Sequence, residues 1–247
     1  MNQNARDPPR FGFMNQVIVR AEDRNPVLLI HGFYNSGRSM RRMQRWLKAR
    51  GWNVYAMNLV PSDGRASLEQ LARQIAMYVD ETFPNNRKLD IVGFSMGGLV
   101  SRCYVQRLNG GARVNRLITI AAPHHGTWLA YLSRRPGCRE MRPGSALLNA
   151  LNNDVDSLKR VRLMSIWTPL DLMIIPASSS RMEIGAGRKT WIVAHRLMIL
   201  QRSCFRQVEQ FLLDVGDPHS QSLSSYPEYI ASTSRNDFSF GKTVCSI

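Results

Sequence analysis

Residues 89–100 read LDIVGFSMGGLV, and the rest of the chain is organised around this stretch. Leu89–Val92 is a short apolar run with the character of a buried strand. Gly93-Phe94-Ser95-Met96-Gly97 follows, and a helical pattern opens near Gly98. A serine set between strand and helix in this spacing sits on a tight, strained turn that presents its hydroxyl at the carboxyl end of a sheet. Glycines at 93 and 97 remove side chains where the two backbones crowd. The Gly-x-Ser-x-Gly pattern is short and not decisive alone; the strand before it and the helix after it give it weight.

Working outward, the 247 residues suit one large domain with a full α/β core. Hydrophobic residues make up 44% of the chain, as expected for a soluble globular protein. No apolar run is long enough to span a bilayer as a helix. The opening MNQNARDPPRFGF has no apolar segment of the secretory kind, so the expected location is cytoplasmic. Cys103, Cys138, Cys204 and Cys245 show no CxxC spacing and read as free thiols. The net charge is +15, with arginine far in excess of lysine. Such a balance favours polyanions, either nucleic acid or an anionic lipid surface. The arginines are scattered and no nucleic-acid motif is present, so no nucleic-acid partner is expected. Two local concentrations stand out: Arg38, Arg41, Arg42, Arg45 and Lys48 at helical spacing, and Arg134, Arg135, Arg139 and Arg142 in a loop-like insertion.

The pattern along the chain alternates strands and helices. Residues 1–13 read as a flexible arm and Gln16–Arg20 as an edge strand. Pro26–His31 is a continuous apolar run of the kind found in strands buried on both faces. Ser39–Arg50 is a helix ended by Gly51, and Trp52–Leu59 is the next strand. Ser67-x-x-Gln70 is a capping box that opens a helix reaching about Thr82. After the central stretch and its helix come a strand at Arg116–Ala121, a strandless segment over 124–160 with a short helix at Ser145–Leu151, strands at Leu163–Trp167 and Trp191–Ala194, and a closing helix over Leu197–Leu213. From 216 onward the composition turns to Ser, Pro and Asp, which predicts a disordered tail beyond a domain of residues 1–215. Repeated alternation of this kind predicts a mostly parallel sheet with helices on both faces. In such sheets the working groups gather at the carboxyl ends of the strands.

Four strand ends carry chemistry. His31-Gly32-Phe33 follows the first, Ser95 the central one, Asp171 follows LMSIWTPL, and His195 follows WIVA. A serine is a weak nucleophile until a base lies within hydrogen-bond reach, and the base needs a third group to hold its tautomer. Charge that develops on an attacked carbonyl oxygen needs preset donors. By position these are the backbone N–H groups of Met96 and Phe33. His124 and His125 are rival bases in a Pro-marked loop, better suited to shaping a pocket wall. Asp90 and Glu183 are rival acids; the first precedes the wrong end of its strand.

At this point the sequence resembles a family. HGF at 31–33, LDIVGFSMGG at 89–98, ITIAAPHHGT at 118–127, GSALLNALN at 144–152, SIWTPLDLMIIP at 165–176 and VAHRLMIL at 193–200 look like the bacterial-type lipases and esterases of the α/β-hydrolase superfamily, especially the minimal lipases and an APHHGT-bearing group. The likeness covers about residues 27–213. It implies an α/β-hydrolase fold with a lid-like insertion at 124–160, and no metal or organic cofactor. It also implies ester or lipid substrates and a catalytic triad of Ser95, Asp171 and His195, the chain order of that fold. Phe33 and Met96 would form the oxyanion hole, while His31, Phe94, His124 and Trp128 would line the pocket. The chain departs from the pattern at Phe94, where His is usual, and at Arg196, where a small or aliphatic residue is usual. The expected reaction is hydrolysis of carboxylic esters, acyl-glycerols among them, through an acyl-enzyme by a monomeric enzyme. An acyltransferase, thioesterase or amide hydrolase on the same triad, or a non-catalytic basic binding module, are the alternatives, because one fold hosts many chemistries.

Overall fold

The computed structural model describes residues 24–84 and 86–214. The predicted arm, the edge strand at Gln16–Arg20, Cys245 and the tail lie outside them.

Six strands form one sheet in the order β2-β1-β3-β4-β5-β6, with every neighbouring pair parallel. They are β1 (Val27–Ile30), β2 (Val54–Met57), β3 (Leu89–Phe94), β4 (Val114–Ile120), β5 (Arg162–Trp167) and β6 (Ala186–Lys189). The helices are α1 (Arg41–Lys48), α2 (Leu68–Thr82), α3 (Met96–Arg107), α4 (Pro136–Glu140), α5 (Ala146–Asn153) and α6 (Arg202–Leu213). This is a fully parallel sheet flanked by helices, the architecture that the sequence resemblance implies.

Strand alternation sorts the core into two layers. Leu28, Ile30, Leu89, Ile91 and Leu117 face α2 and α3. Val27, Leu29, Val92, Phe94, Ile118 and Ile120 face α1 and α6. Successive side chains point to opposite faces of a strand, so runs apolar at every position are what a sheet covered on both sides requires. α3 lies against the centre of the sheet, and every residue from Met96 to Val105 is buried. The predicted capping box is present: Ser67 Oγ accepts the Gln70 N–H, and the Gln70 side chain accepts the Ser67 N–H at 2.9 Å. Ser145 caps α5 by accepting the Leu148 N–H. Cys103, Cys138 and Cys204 are free and buried.

Two predicted elements differ. The last strand is Ala186–Lys189, not Trp191–Ala194. β6 is an edge strand whose residues alternate between half-buried and exposed, and it pairs with β5 through its backbone. It therefore carries no apolar run for a sequence reading to detect. The apolar run after it leaves Trp191 and Val193 in solvent and buries only Ile192. The closing helix is also broken: a 3-10 turn spans His195–Ile199, and α6 begins at Arg202. The break lets the chain turn where His195 stands. Segment 124–160 carries short helices and no strand, as expected.

Candidate active site

β3 runs into α3 through Ser95, whose backbone is at φ 54° and ψ −125°. This is a strained conformation for a residue with a side chain. The turn is held by the Ser95 N–H donating to Ile120 O at 2.8 Å and the Gly98 N–H donating to Ser95 O at 2.9 Å. A Cβ on Gly93 would stand 2.7 Å from the Gly98 Cα, and one on Gly97 would stand 2.7 Å from Ile30 O. The glycines of the motif are therefore steric requirements of the β1–β3–α3 crossing.

Asp171 and His195 come from the loops after β5 and β6. His195 Nδ1–H donates to Asp171 Oδ2 at 2.8 Å. The other carboxylate oxygen, Oδ1, accepts the N–H groups of Met173 at 2.8 Å and Ile174 at 3.0 Å. The carboxylate is thereby fixed on both oxygens, and the imidazole is fixed in the tautomer that leaves Nε2 free to accept a proton. That nitrogen has no protein partner among the described residues. The ring of Phe94, the residue before the serine, packs on the His195 ring with centroids 4.8 Å apart. This contact places the imidazole beside the elbow. Ser95 and His195 are each 8% exposed, so both are enclosed yet reach solvent.

The expected oxyanion donors are also positioned by the fold. Met96 is the first residue of α3. Neither its N–H nor that of Phe33 has a hydrogen-bond partner among the described residues. Orphan N–H groups at a helix start favour negative charge. His31 sits behind this loop: its Nδ1–H donates to Gly32 O at 2.9 Å, and its Nε2 accepts the Leu59 N–H at 2.9 Å. The second bond requires the neutral ring, and burial, only partly opposed by the bond to Gly32 O, lowers the His31 pKa in the same sense.

The remaining expected pocket residues separate. Phe33 is half-buried and edge-on to Tyr34, with centroids 4.5 Å apart. Trp128 is 58% exposed and stacks on Tyr131 at 5.5 Å. His124 is completely buried and lies within the core, not on an open wall. Its Nε2–H donates to Thr119 Oγ1 at 2.9 Å and its Nδ1 accepts from Arg102 Nη1 at 3.3 Å. Burial, with the Arg102 charge second, holds the His124 pKa well below the usual histidine range. His125 is exposed, and Arg196 is exposed beside His195.

Arg102 is the residue that sequence reasoning missed. It is fully buried in α3 with no carboxylate partner among the described residues. Neutral groups hold it instead: Gln106 Oε1 at 3.0 Å, Asn152 Oδ1 at 3.0 Å, Leu151 O at 2.9 Å and His124. Burial pulls its pKa down to about 10. The one legible signal was an arginine inside the apolar run GLVSRCYV, four residues before a glutamine. Arg102 ties the elbow helix to α5. Among the described residues no cluster of His, Cys, Asp and Glu is suited to a metal ion.

Comparison with known proteins places this fold in a class. Lipase BlEst2 of Bacillus licheniformis, in its mature form, superposes with a TM-score of 0.63 at 16% identity, covering 76% of this chain and 92% of that one. Lipase B of Aspergillus fumigatus gives a TM-score of 0.70 at 15% identity, over 81% and 55% of the two chains. The chain has the α/β-hydrolase fold, in the form seen in bacterial and fungal lipases and esterases. A family model for palmitoyl protein thioesterase matches residues 26–140. Palmitoyl-protein thioesterase 3 of Dictyostelium discoideum is 26% identical over 89 residues, which is 34% of this chain and 31% of that protein. The chain thus spans about a third of the length of the curated relative it matches.

Proposed function

We propose that the protein is a serine hydrolase that cleaves carboxylic esters of lipids through an acyl-enzyme intermediate. The observation that carries this reading is the His195–Asp171 pair at 2.8 Å, with the imidazole packed beside the strained Ser95 elbow. Ser95 Oγ attacks the ester carbonyl while His195 Nε2 takes its proton. Asp171 orients the ring and stabilises the imidazolium. The carbonyl oxygen becomes an oxyanion stabilised by the Phe33 and Met96 N–H groups. Collapse expels the alcohol, protonated by His195, and leaves the acyl group on Ser95. Water, deprotonated by His195, then cleaves that ester and restores the serine.

A second reading is favoured by the palmitoyl protein thioesterase match over residues 26–140: the scissile bond is a thioester. The same steps serve, with a thiolate as leaving group.

The test is labelling with a fluorophosphonate probe, followed by rates on matched oxygen esters and thioesters of graded acyl length. Labelling that is lost in Ser95→Ala, together with faster cleavage of long-chain esters, supports the first reading. Preference for the thioester moves the assignment to the second. Absence of labelling and of turnover on both series overturns the hydrolase reading in favour of a binding module.

A further inference from the structure

Fourteen large apolar side chains are substantially exposed among the described residues, and twelve of them sit on loops that follow the carboxyl ends of strands. All strands are parallel, so those loops open on one edge of the sheet, the edge that carries Ser95. The most exposed are Leu132 at 84% and Leu172 at 76%; Tyr34, Val60, Trp191 and Val193 are each about two-thirds exposed. Leu172 and Met173 directly follow Asp171, and Val193 stands two residues before His195. The loops are stitched together: the Trp128 N–H donates to Ile175 O at 2.9 Å, and Thr127 Oγ1–H donates to Met173 O at 3.0 Å. The exposed apolar side chains thus gather on the edge of the candidate active site and form its rim. Apolar exposure concentrated on one edge marks an interaction site.

The rim is also cationic, and the cations sit on its aromatic rings. The Arg142 guanidinium lies 4.7 Å from the centre of the Tyr131 ring, and the Lys189 ammonium lies 4.4 Å from that of Trp191. Arg135 donates to the Tyr34 hydroxyl at 2.7 Å. Residues 58–67, 121–145, 168–185 and 190–201 together hold seven arginines and four carboxylates. Of those carboxylates, Asp171 holds His195, Asp63 pairs with Arg65 and Arg135, and Glu140 accepts the Leu68 N–H. The face is left with unneutralised positive charge.

We infer that this rim docks the mouth of the active site onto an anionic lipid bilayer. Tryptophan and tyrosine settle at the depth of lipid headgroups, leucine and valine go below it, and arginine and lysine meet phosphate. The three are found here on one edge, interleaved. A protein partner of ordinary surface would supply no matching layer of anionic charge over an apolar interior. Docking deepens the ester-hydrolase reading by bringing a membrane-borne acyl group to Ser95, and it rests on that reading only for its purpose. Binding is therefore measured separately from turnover.

The experiment uses the full chain carrying Ser95→Ala and sediments it with phosphatidylcholine vesicles, with and without phosphatidylglycerol. The expected result is partition onto the anionic vesicles that exceeds partition onto phosphatidylcholine by about tenfold. It weakens as salt rises towards about 1 M, where the Debye length falls to about 3 Å. Leu132→Glu combined with Trp191→Glu lowers partition by about tenfold or more, since both apolar anchors become anionic. Both sites are exposed, and circular dichroism checks that the variant is folded. Leu213→Glu, at the end of α6 next to Asp214, which pairs with Arg162 at the opposite, amino end of β5, leaves partition unchanged. Absent or lipid-independent binding, or equal binding by the double variant, overturns the inference. So does a dimer in lipid-free solution that the double variant dissociates, since the face would then pair with a second copy. Binding that holds while fluorophosphonate labelling fails removes the hydrolase reading and leaves the docking face standing.

Discussion

His195 Nδ1 and Asp171 Oδ2 stand 2.8 Å apart, and the second Asp171 oxygen is held by two backbone N–H groups of its own loop. The aspartate is therefore rigidly held, as the orienting member of the proposed triad would be. Asp171→Asn keeps the shape but can present an N–H to Nδ1, which favours the tautomer protonated at Nε2. A loss in kcat of about 10³ to 10⁴ is expected on a soluble ester, with little change in KM. Steady-state kinetics against the parent, with circular dichroism as a check on fold, measures it. A loss below about tenfold would remove Asp171 from the proposed triad.

The elbow allows no side chain at its glycines. Gly97→Ala brings a Cβ against Ile30 O and His31 O, and both are backbone atoms that cannot swing aside. Destabilisation of about 3 kcal/mol or more is expected, read as a lower denaturation midpoint or as loss of folded protein.

Arg102 spans α3, α5 and the loop that carries His124 with one guanidinium. Arg102→Ala strands the Asn152 and Gln106 amide oxygens and takes one of two donors from the Leu151 carbonyl, which keeps the Gln106 amide. A stability loss of about 3 kcal/mol is expected in urea denaturation. Arg102→Lys restores little, because an ammonium cannot reach a forked set of acceptors.

His124 and His31 are both held neutral in the folded chain, with pKa values lowered below 6.5. The unfolded chain takes up protons at these sites as pH falls through 6.5, while the folded chain takes them up only at lower pH. Their contribution is complete above that pH and is lost below it, at up to about 1.4 kcal/mol per pH unit for each histidine. Asp90 works in the opposite sense: burial, opposed by Arg116, raises its pKa from 3.8 to about 6. Between those values the folded chain keeps a proton that the unfolded chain has lost, so the Asp90 contribution falls as pH rises across the window. Denaturation midpoints from pH 7 to pH 5 separate the effects. His124→Gln is expected to flatten the acid-side fall, and Asp90→Asn to steepen it.

The residues that were legible in the sequence are those whose positions obey local rules. The strand–turn–helix run of 89–100 carries its own steric logic, and the Ser67–Gln70 capping box is a local hydrogen-bond pair. Continuous apolar runs marked β1, β3, β4 and β5, because a strand covered on both faces must be apolar throughout. β6 was not legible. Ala186–Lys189 joins the sheet through backbone hydrogen bonds at an exposed edge, so its side chains report nothing, while the apolar run at 191–194 belongs to the surface rim. The position of His124 was equally hidden, since the bonds that bury it come from Thr119 and Arg102, which lie 5 and 22 residues away.

The sequence by itself determined the parallel α/β architecture, the serine elbow, and the order of Ser95, Asp171 and His195 along the chain. Each of these is written in side-chain periodicity or in short-range sterics. Only the tertiary structure decided that His195 meets Asp171 across 24 residues, that Arg102 lies buried among neutral acceptors, and that a dozen exposed apolar side chains gather on one edge. Those facts depend on how strand ends and loops converge in space, and on a balance between burial and hydrogen bonding that no local pattern encodes.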